Sequence, residues 1–462
     1  MTKTNFAGWP STRLLVGVAV SVAIVLTACS SAKDSLLAVT DPDIINAGDV
    51  NSAEGSIALA NGAIGTFRST TGGGESTWLF GGLLADEWST SSTFIQNDEA
   101  DQRRVQEFNS SVTGMLRNLY RTRTRANEAI TALKTFSPNS RALLSELYLA
   151  RGYAEMQLAL DFCNGIPIGA TNVIPPDNGS PKSNQEVFTL AAASLDTALG
   201  FASGTDAQSV LMNRAARVVR ARVALSLGDF TTAGSLVTGV PTAFAYQHTF
   251  SLTTSTNTVW GQGLSSRRYS VGDSVEGNRR DIPVANAIPF ASARDPRLPV
   301  VTPTTGAING QDGLTYTRTT TTWGQLTALD VANGVDARMI EAEAALKNNL
   351  PAQWLAIHNA LRAAPPKLGD IQSAALPALV DPGTEVGRVL LHFREKAFWT
   401  FSRGQRLGDM RRLIRQYART EANTFPQGVH YKGGSYGTDV NFQVSTDERN
   451  NPNYKGCTNR LP

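Results

Sequence analysis

Residues 224–237 read ALSLGDFTTAGSLV, and the Gly228-Asp229 step in the middle separates two helical patterns. Residues 207–227 carry helical periodicity up to that step, and a glycine just past the last periodic residue is a common helix stop. Residues 231–237 resume the pattern until Gly239 and Pro241 punctuate it. Two helices joined by so short a turn make a helical pair.

The spacing of Gly228, Phe230 and Ala233 resembles the inter-helix turn of a tetratricopeptide repeat. Neighbouring stretches repeat the form. Ser137-Pro138 opens a helix whose apolar stripe includes Leu143, Leu144, Leu147, Ala150, Tyr153, Ala154 and Leu158, and Gly165 and Pro167 end it. Residues 184–201 predict the next helix, and residues 335–348 and 351–363 a later pair. Ala342, Ala344 and Ala345 in that pair let two helices approach closely. Nearer the N-terminus, residues 53–67 and 78–87 predict two helices, and residues 102–135 an arginine-rich helix with a solvated basic face. Stacked pairs bury a continuous core only beside one another. The fold class is therefore mainly α, a tetratricopeptide-like helical-pair scaffold with pairs over about 137–241 and 330–415. Residues 242–329 differ. They are rich in Thr, Ser, Gly and Asn but also carry Trp260, Tyr269, Phe290, Tyr316 and Trp323, which argues against simple disorder. A loop-rich, largely irregular lobe laid over the scaffold is expected.

The first residues have the three parts of an export signal. Lys3 and Arg13 supply positive charge, residues 14–26 are apolar, and Thr27-Ala28 leads to Cys29. The apolar run falls short of the ~20 residues of a membrane-spanning helix. Leu26-Thr27-Ala28-Cys29 resembles the lipobox of bacterial lipoproteins, in which the signal is cleaved and the cysteine acylated. Residues 1–28 are then a signal peptide, and residues 29–52 a lipidated N-terminus and tether. Cleavage removes two bases from 42 Lys+Arg and none of the 39 Asp+Glu, leaving 40 against 39, a net charge of +1. Nucleic-acid binding relies on a basic surface, so that partner class is not expected. With Cys29 taken by lipid, Cys163 and Cys457 remain and are expected to pair, two separate thiols being the alternative.

Catalytic patterns are lacking. His248, His358, His392 and His430 are scattered without metal-ligand spacing, and no P-loop, dinucleotide fingerprint or serine nucleophile elbow occurs. Asp86-Glu87 is an adjacent acid pair beside aromatics, but neighbouring side chains on a helix diverge, and glycoside hydrolysis needs two carboxylates facing one bond. No enzyme activity, metal or cofactor is expected.

Four stretches together resemble the SusD/RagB family of outer-membrane nutrient-uptake lipoproteins. They are ANGAIGTF at 60–67, ELYLARGYAEMQLALDFCNGIPI at 146–168, the helical pair over 336–364 with Glu341, Asn359 and Arg362, and FREKAFWTFSRGQRLGDMRRL at 393–413. In the last, Arg394, Glu395, Phe398, Gly404, Arg406, Asp409, Arg411 and Arg412 match, while Thr400 to Arg403 and Gly408 depart from the family pattern. Its charges read as scaffold ion pairs at i,i+3 and i,i+4. The resemblance implies a lipid-anchored, surface-exposed protein of the outer membrane. It would bind a glycan or other nutrient and act as a lid on a SusC-like TonB-dependent transporter. A lipid-anchored repeat scaffold that binds other envelope proteins is the alternative.

A sugar needs flat rings to stack on and short polar partners for its hydroxyls. Trp88 with the following Asn97 and Asp98 offers both, and the resemblance adds Trp260 and Tyr269, flanked by Gln262, Arg267 and Arg268. Trp78 reads as core. For the anchor, labelled palmitate is expected to enter the wild type and not Cys29→Ser; equal labelling of both would refute the lipoprotein reading.

Overall fold

The computed structural model describes residues 51–74, 76–169, 177–277, 280–302 and 308–462. Residues 1–28, read as a signal peptide, Cys29 and nearly all of the stretch read as a tether lie outside the described residues. Residues from Ala53 to Pro462 form one unit. Among the described residues no helix is long and apolar enough to cross a membrane.

The turn at Gly228-Asp229 shows how the scaffold is made. Helix α7 (Ala207–Leu227) ends on Gly228 in the left-handed conformation, φ 82°, a geometry that glycine adopts without a Cβ penalty. Asp229 then caps α8 (Phe230–Val237), its carboxylate accepting from Thr232 N at 3.0 Å. Two adjacent residues thus stop one helix and start the next. Other starts are as local. Ser183 and Glu186 form a capping box on α6 (Asn184–Phe201), and Asn333 and Asp336 form one on α9 (Gly334–Lys347). Pro351 opens α10 (Pro351–Ala363).

The remaining helices are α1 (Ala53–Gly72), α2 (Thr77–Leu84), α3 (Ile95–Asp101), α4 (Ser110–Phe136), α5 (Arg141–Asp161), α11 (Glu385–Trp399) and α12 (Arg406–Gln416). Helix α5 is the centre, packed against α4, α6, α7 and α1. From Leu144 to Asp161 it is buried on nearly every side, as expected of a helix surrounded by others. Gly152 permits a close approach: a Cβ there would lie 2.7 Å from Leu195 Cγ on α6. The series continues from α7 to α8 and α9, and α9 packs against both α10 and α11.

Several local expectations shift. The second helix stops at Leu84 rather than residue 87, and α3 follows where no helix was expected. The arginine-rich helix begins at Ser110, because Asn109 caps it. Its basic face is only partly solvated: Arg123 pairs with Glu155 at 2.9 Å, and Arg125 bonds Thr66. His358 and His392, each read as a lone histidine, meet in the core with 3.1 Å between Nε2 and Nδ1. Burial, with His392 beside it, pushes His358 down to about 2, so this pair is neutral at His358. Among the described residues no group of three His, Cys, Asp or Glu could hold a metal ion.

The charges of residues 393–413 pair mostly across the fold. Arg406 bonds Asp86 through two nitrogens at 2.6 and 2.8 Å, and Arg403 bonds Asp336 at 3.0 and 2.6 Å. Arg412 bonds Glu343, and Lys396 bonds Asp409 at 2.7 Å. Only Arg412–Asp409 keeps an i,i+3 spacing within that stretch. Glu395 on α11 accepts from Arg362 on α10 and from Arg297 in the lobe, both at 2.9 Å. All these groups are buried, where removing one partner of a pair costs about 3–5 kcal/mol.

The lobe is built of short pieces. Strand β4 (Ala245–His248) pairs with β10 (Leu329–Asn333), and the lobe's β5 (Tyr269–Val271) pairs with β1 (Trp88–Thr90). A helical turn, Thr258–Trp260, runs into a π turn, Gly261–Ser265. Four two-residue pieces complete two small ladders: β6 (Val275–Glu276) with β7 (Ile282–Pro283), and β8 (Val300–Val301) with β9 (Thr319–Thr320). Strands β2 (Ile166–Ile168) and β3 (Ser180–Lys182) pair beyond α5. Beside them the C-terminal segment returns: Cys163 N donates to Phe442 O at 2.9 Å, and Cys163 is disulfide-bonded to Cys457 across 294 residues. In the chain-entropy model closing so long a loop contributes roughly 5–6 kcal/mol.

Candidate functional site

The pairing of β1 with β5 sorts side chains by alternation. Trp88 stands opposite Val271, Ser89 opposite Ser270, and Thr90 opposite Tyr269. Successive residues of a strand point to opposite faces, so the first and last pairs share one face and the serine pair takes the other. The first face is core. Trp88 is 1% exposed, packs edge-on to Tyr269 at 6.1 Å and against Phe401 at 5.0 Å, and donates to Ser402 Oγ at 3.1 Å.

The serine face floors a cleft of about 580 Å³ in the lobe, within the usual ~300–1,000 Å³ of ligand pockets. Ser89 and Ser270 meet Glu276 and Arg318 there, with Thr315, Tyr316 and Tyr431 on the walls. Arg318 pairs with Glu276 at 2.8 Å, and Ser89 donates to the same carboxylate. Burial raises the Glu276 carboxyl, with the Arg318 charge opposing. Ser292 Oγ donates to Asp273 at 2.7 Å. Arg294 and Asp281 also line the cleft, both exposed and both at positive φ, 50° and 52°. Non-glycine residues rarely adopt that region, and such strain clusters at binding sites. The cleft offers hydroxyls, charge-assisted acceptors and a tyrosine ring: a surface for a hydroxyl-rich ligand.

Of the residues expected at the ligand face, Trp88, Tyr269 and Asn97 are corrected. All three are buried, at 1%, 0% and 0% exposure, because the strand pairing and α3 turn them inward. Asp98 is occupied by Lys432, 2.8 Å away. Trp260 alone among the described tryptophans is not buried, and it lies outside the cleft lining. Trp78 is core, donating to Tyr153 at 2.8 Å. The acid pair does not reach the cleft. Asp86 is spent on Arg406 and on Ile288 N, and Glu87 is fully buried, accepting from Ser402 N at 2.9 Å. Burial pushes the Glu87 carboxyl up to about 8.

Sequence reasoning had Tyr316 among the lobe's aromatics but missed Glu276, Arg318 and Tyr431. The last comes from residues 428–436, whose tight turn carries no motif that points to β1, more than 300 residues earlier. Outside the cleft lining, Phe94 is 41% exposed, with the Arg268 guanidinium 4.5 Å from its ring centre. It lies within the segment, residues 88–98, in which an aromatic was sought.

No family model and no curated protein matches the chain. Solved structures do. A SusD superfamily protein from Bacteroides vulgatus superposes with TM-score 0.63 at 13% identity, over 88% of this chain and 99% of its own. NanU of Bacteroides fragilis gives 0.62 at 13%, over 91% and 100%. Surface glycan-binding protein A of Bacteroides uniformis gives 0.61 at 12%, over 87% and 99%. The chain has the SusD-like fold, in agreement with the resemblance of its motifs.

Trp88→Ala is expected to lower stability by about 3–5 kcal/mol, as for a large ring removed from a core, measured by urea denaturation. A variant of wild-type stability would return Trp88 to the list of surface residues.

Proposed function

We propose that this protein binds a glycan or similarly hydroxyl-rich nutrient in the cleft of its lobe without cleaving it. The observation that carries the reading is the cleft itself, where paired serines, an Arg–Glu pair and a tyrosine ring converge within a SusD-like fold. A saccharide presents apolar C–H faces to aromatic rings and donor–acceptor hydroxyls to fixed polar groups. The partly exposed Trp260 and Phe94 rings offer further stacking surface outside the cleft. One structural neighbour bears the name of a surface glycan-binding protein. The chain would be held on the outer membrane by lipid on Cys29, facing outward, and would hand its ligand to a SusC-like TonB-dependent transporter.

Calorimetric titration against a glycan panel tests the binding. Tyr316→Ala is expected to weaken the glycan that binds by about 5- to 30-fold, the loss of one stacked ring at ~1–2 kcal/mol. Unchanged affinity would move the ligand out of the cleft. For delivery, purification from native membranes in mild detergent is expected to bring down a TonB-dependent barrel in near-equal amount. Its absence would overturn the transporter role.

A further inference from the structure

Lys432 is the residue to which the cleft's construction leads. It sits one position after Tyr431, in the turn closed by His430 N to Gly434 O at 3.0 Å and Gly433 N to His430 O at 2.9 Å. Its side chain is only 12% exposed, unusual for lysine unless its charge is answered. The answer is complete. The ammonium has three hydrogens, and three oxygens surround it: Ser92 O at 2.9 Å, Asp98 Oδ1 at 2.8 Å and Asp312 Oδ2 at 3.0 Å.

These oxygens belong to two segments far apart in sequence. Ser92 and Asp98 follow β1, whose Ser89 floors the cleft. Asp312 belongs to residues 308–318, which supply Thr315, Tyr316 and Arg318 to the cleft. Asp312 also shapes that segment, accepting from Leu314 N at 2.8 Å, Thr315 N at 2.9 Å and Thr315 Oγ1 at 2.6 Å. The turn bearing Lys432 is itself fixed. The Tyr431 hydroxyl donates to Thr90 O, and the His430 ring stands 3.2 Å from Asp101 on α3. An exposed ion pair would contribute little, but Asp312 keeps only 6% of its side-chain exposure and Asp98 20%. Without the ammonium, two carboxylates would face each other with no counter-charge between them.

We propose that Lys432 is a positioning residue for the cleft, holding the wall that carries Thr315 and Tyr316 against the β1 segment. The ligand consequence rests on the reading of the cleft as the binding site; the placement of the wall does not.

Two measurements on the full-length protein in detergent separate these. In Lys432→Met, which keeps the aliphatic stem, hydrogen exchange at amides 311–317 is expected to quicken about tenfold, with α5 and α7 unchanged. Lys432→Arg, which keeps the charge, is expected to restore protection. The glycan bound by the wild type is expected to bind about tenfold more weakly to Lys432→Met and near normally to Lys432→Arg. Unaltered exchange at 311–317, or equal acceleration across the scaffold helices, would overturn the proposal. A wild type that binds no glycan would overturn the ligand reading of the cleft, and the exchange data would still decide for or against Lys432.

Discussion

The carboxylate of Asp86 holds three parts of the molecule at one point. It follows α2, accepts two hydrogen bonds from Arg406 on α12 at 2.6 and 2.8 Å, and accepts Ile288 N from the lobe at 2.9 Å. A buried charge tolerates no vacancy among its partners, so these three elements are fixed relative to one another. The next residues inherit the constraint. Glu87 accepts the Ser402 amide, Trp88 bonds the Ser402 hydroxyl, and β1 is delivered to β5 in the one register that turns its serine to the cleft. The departure from the family pattern at residues 400–403 falls at this junction. Ser402, at φ 56°, supplies both bonds there.

The scaffold and the lobe answer different physical demands. Helices satisfy their own backbone and need only an apolar face to stack. The lobe cannot do this, since its ladders are only two to four residue pairs long. It is stabilised instead by side chains that reach into the scaffold, such as Arg297 bonding Glu395 and lying 4.7 Å from the Trp399 ring centre. A loop-rich surface tied down at such points can present hydroxyls and charges that a packed helix face would have to bury. The cleft lies in the lobe for that reason.

The matching charges of residues 393–413 serve as joints. Asn359 and Arg362 do similar work at the chain between α10 and α11, where Asn359 exchanges hydrogen bonds with Leu379 at 3.2 and 2.7 Å and Arg362 bonds Pro377 O. The motif residues thus hold the fold together, and the cleft is lined by others. Likeness of motif and of ligand are therefore separate questions in this fold.

The amino-acid sequence alone determined the scaffold. Residues 184–201 and 207–227 were legible as helices to their ends because apolar period, caps and the Gly228 stop all act within a few residues. The irregular lobe was legible from composition. The side on which Trp88 and Tyr269 fall was not. It depends on β1 meeting β5 some 180 residues later in the chain, and a shift of one residue in that pairing would reverse every side chain. Lys432 is the same case at greater distance, its three oxygen partners lying 120 to 340 residues earlier in the chain. Local chemistry decides where helices begin and end; which polar groups converge on a cleft is decided by contacts that only the folded chain makes.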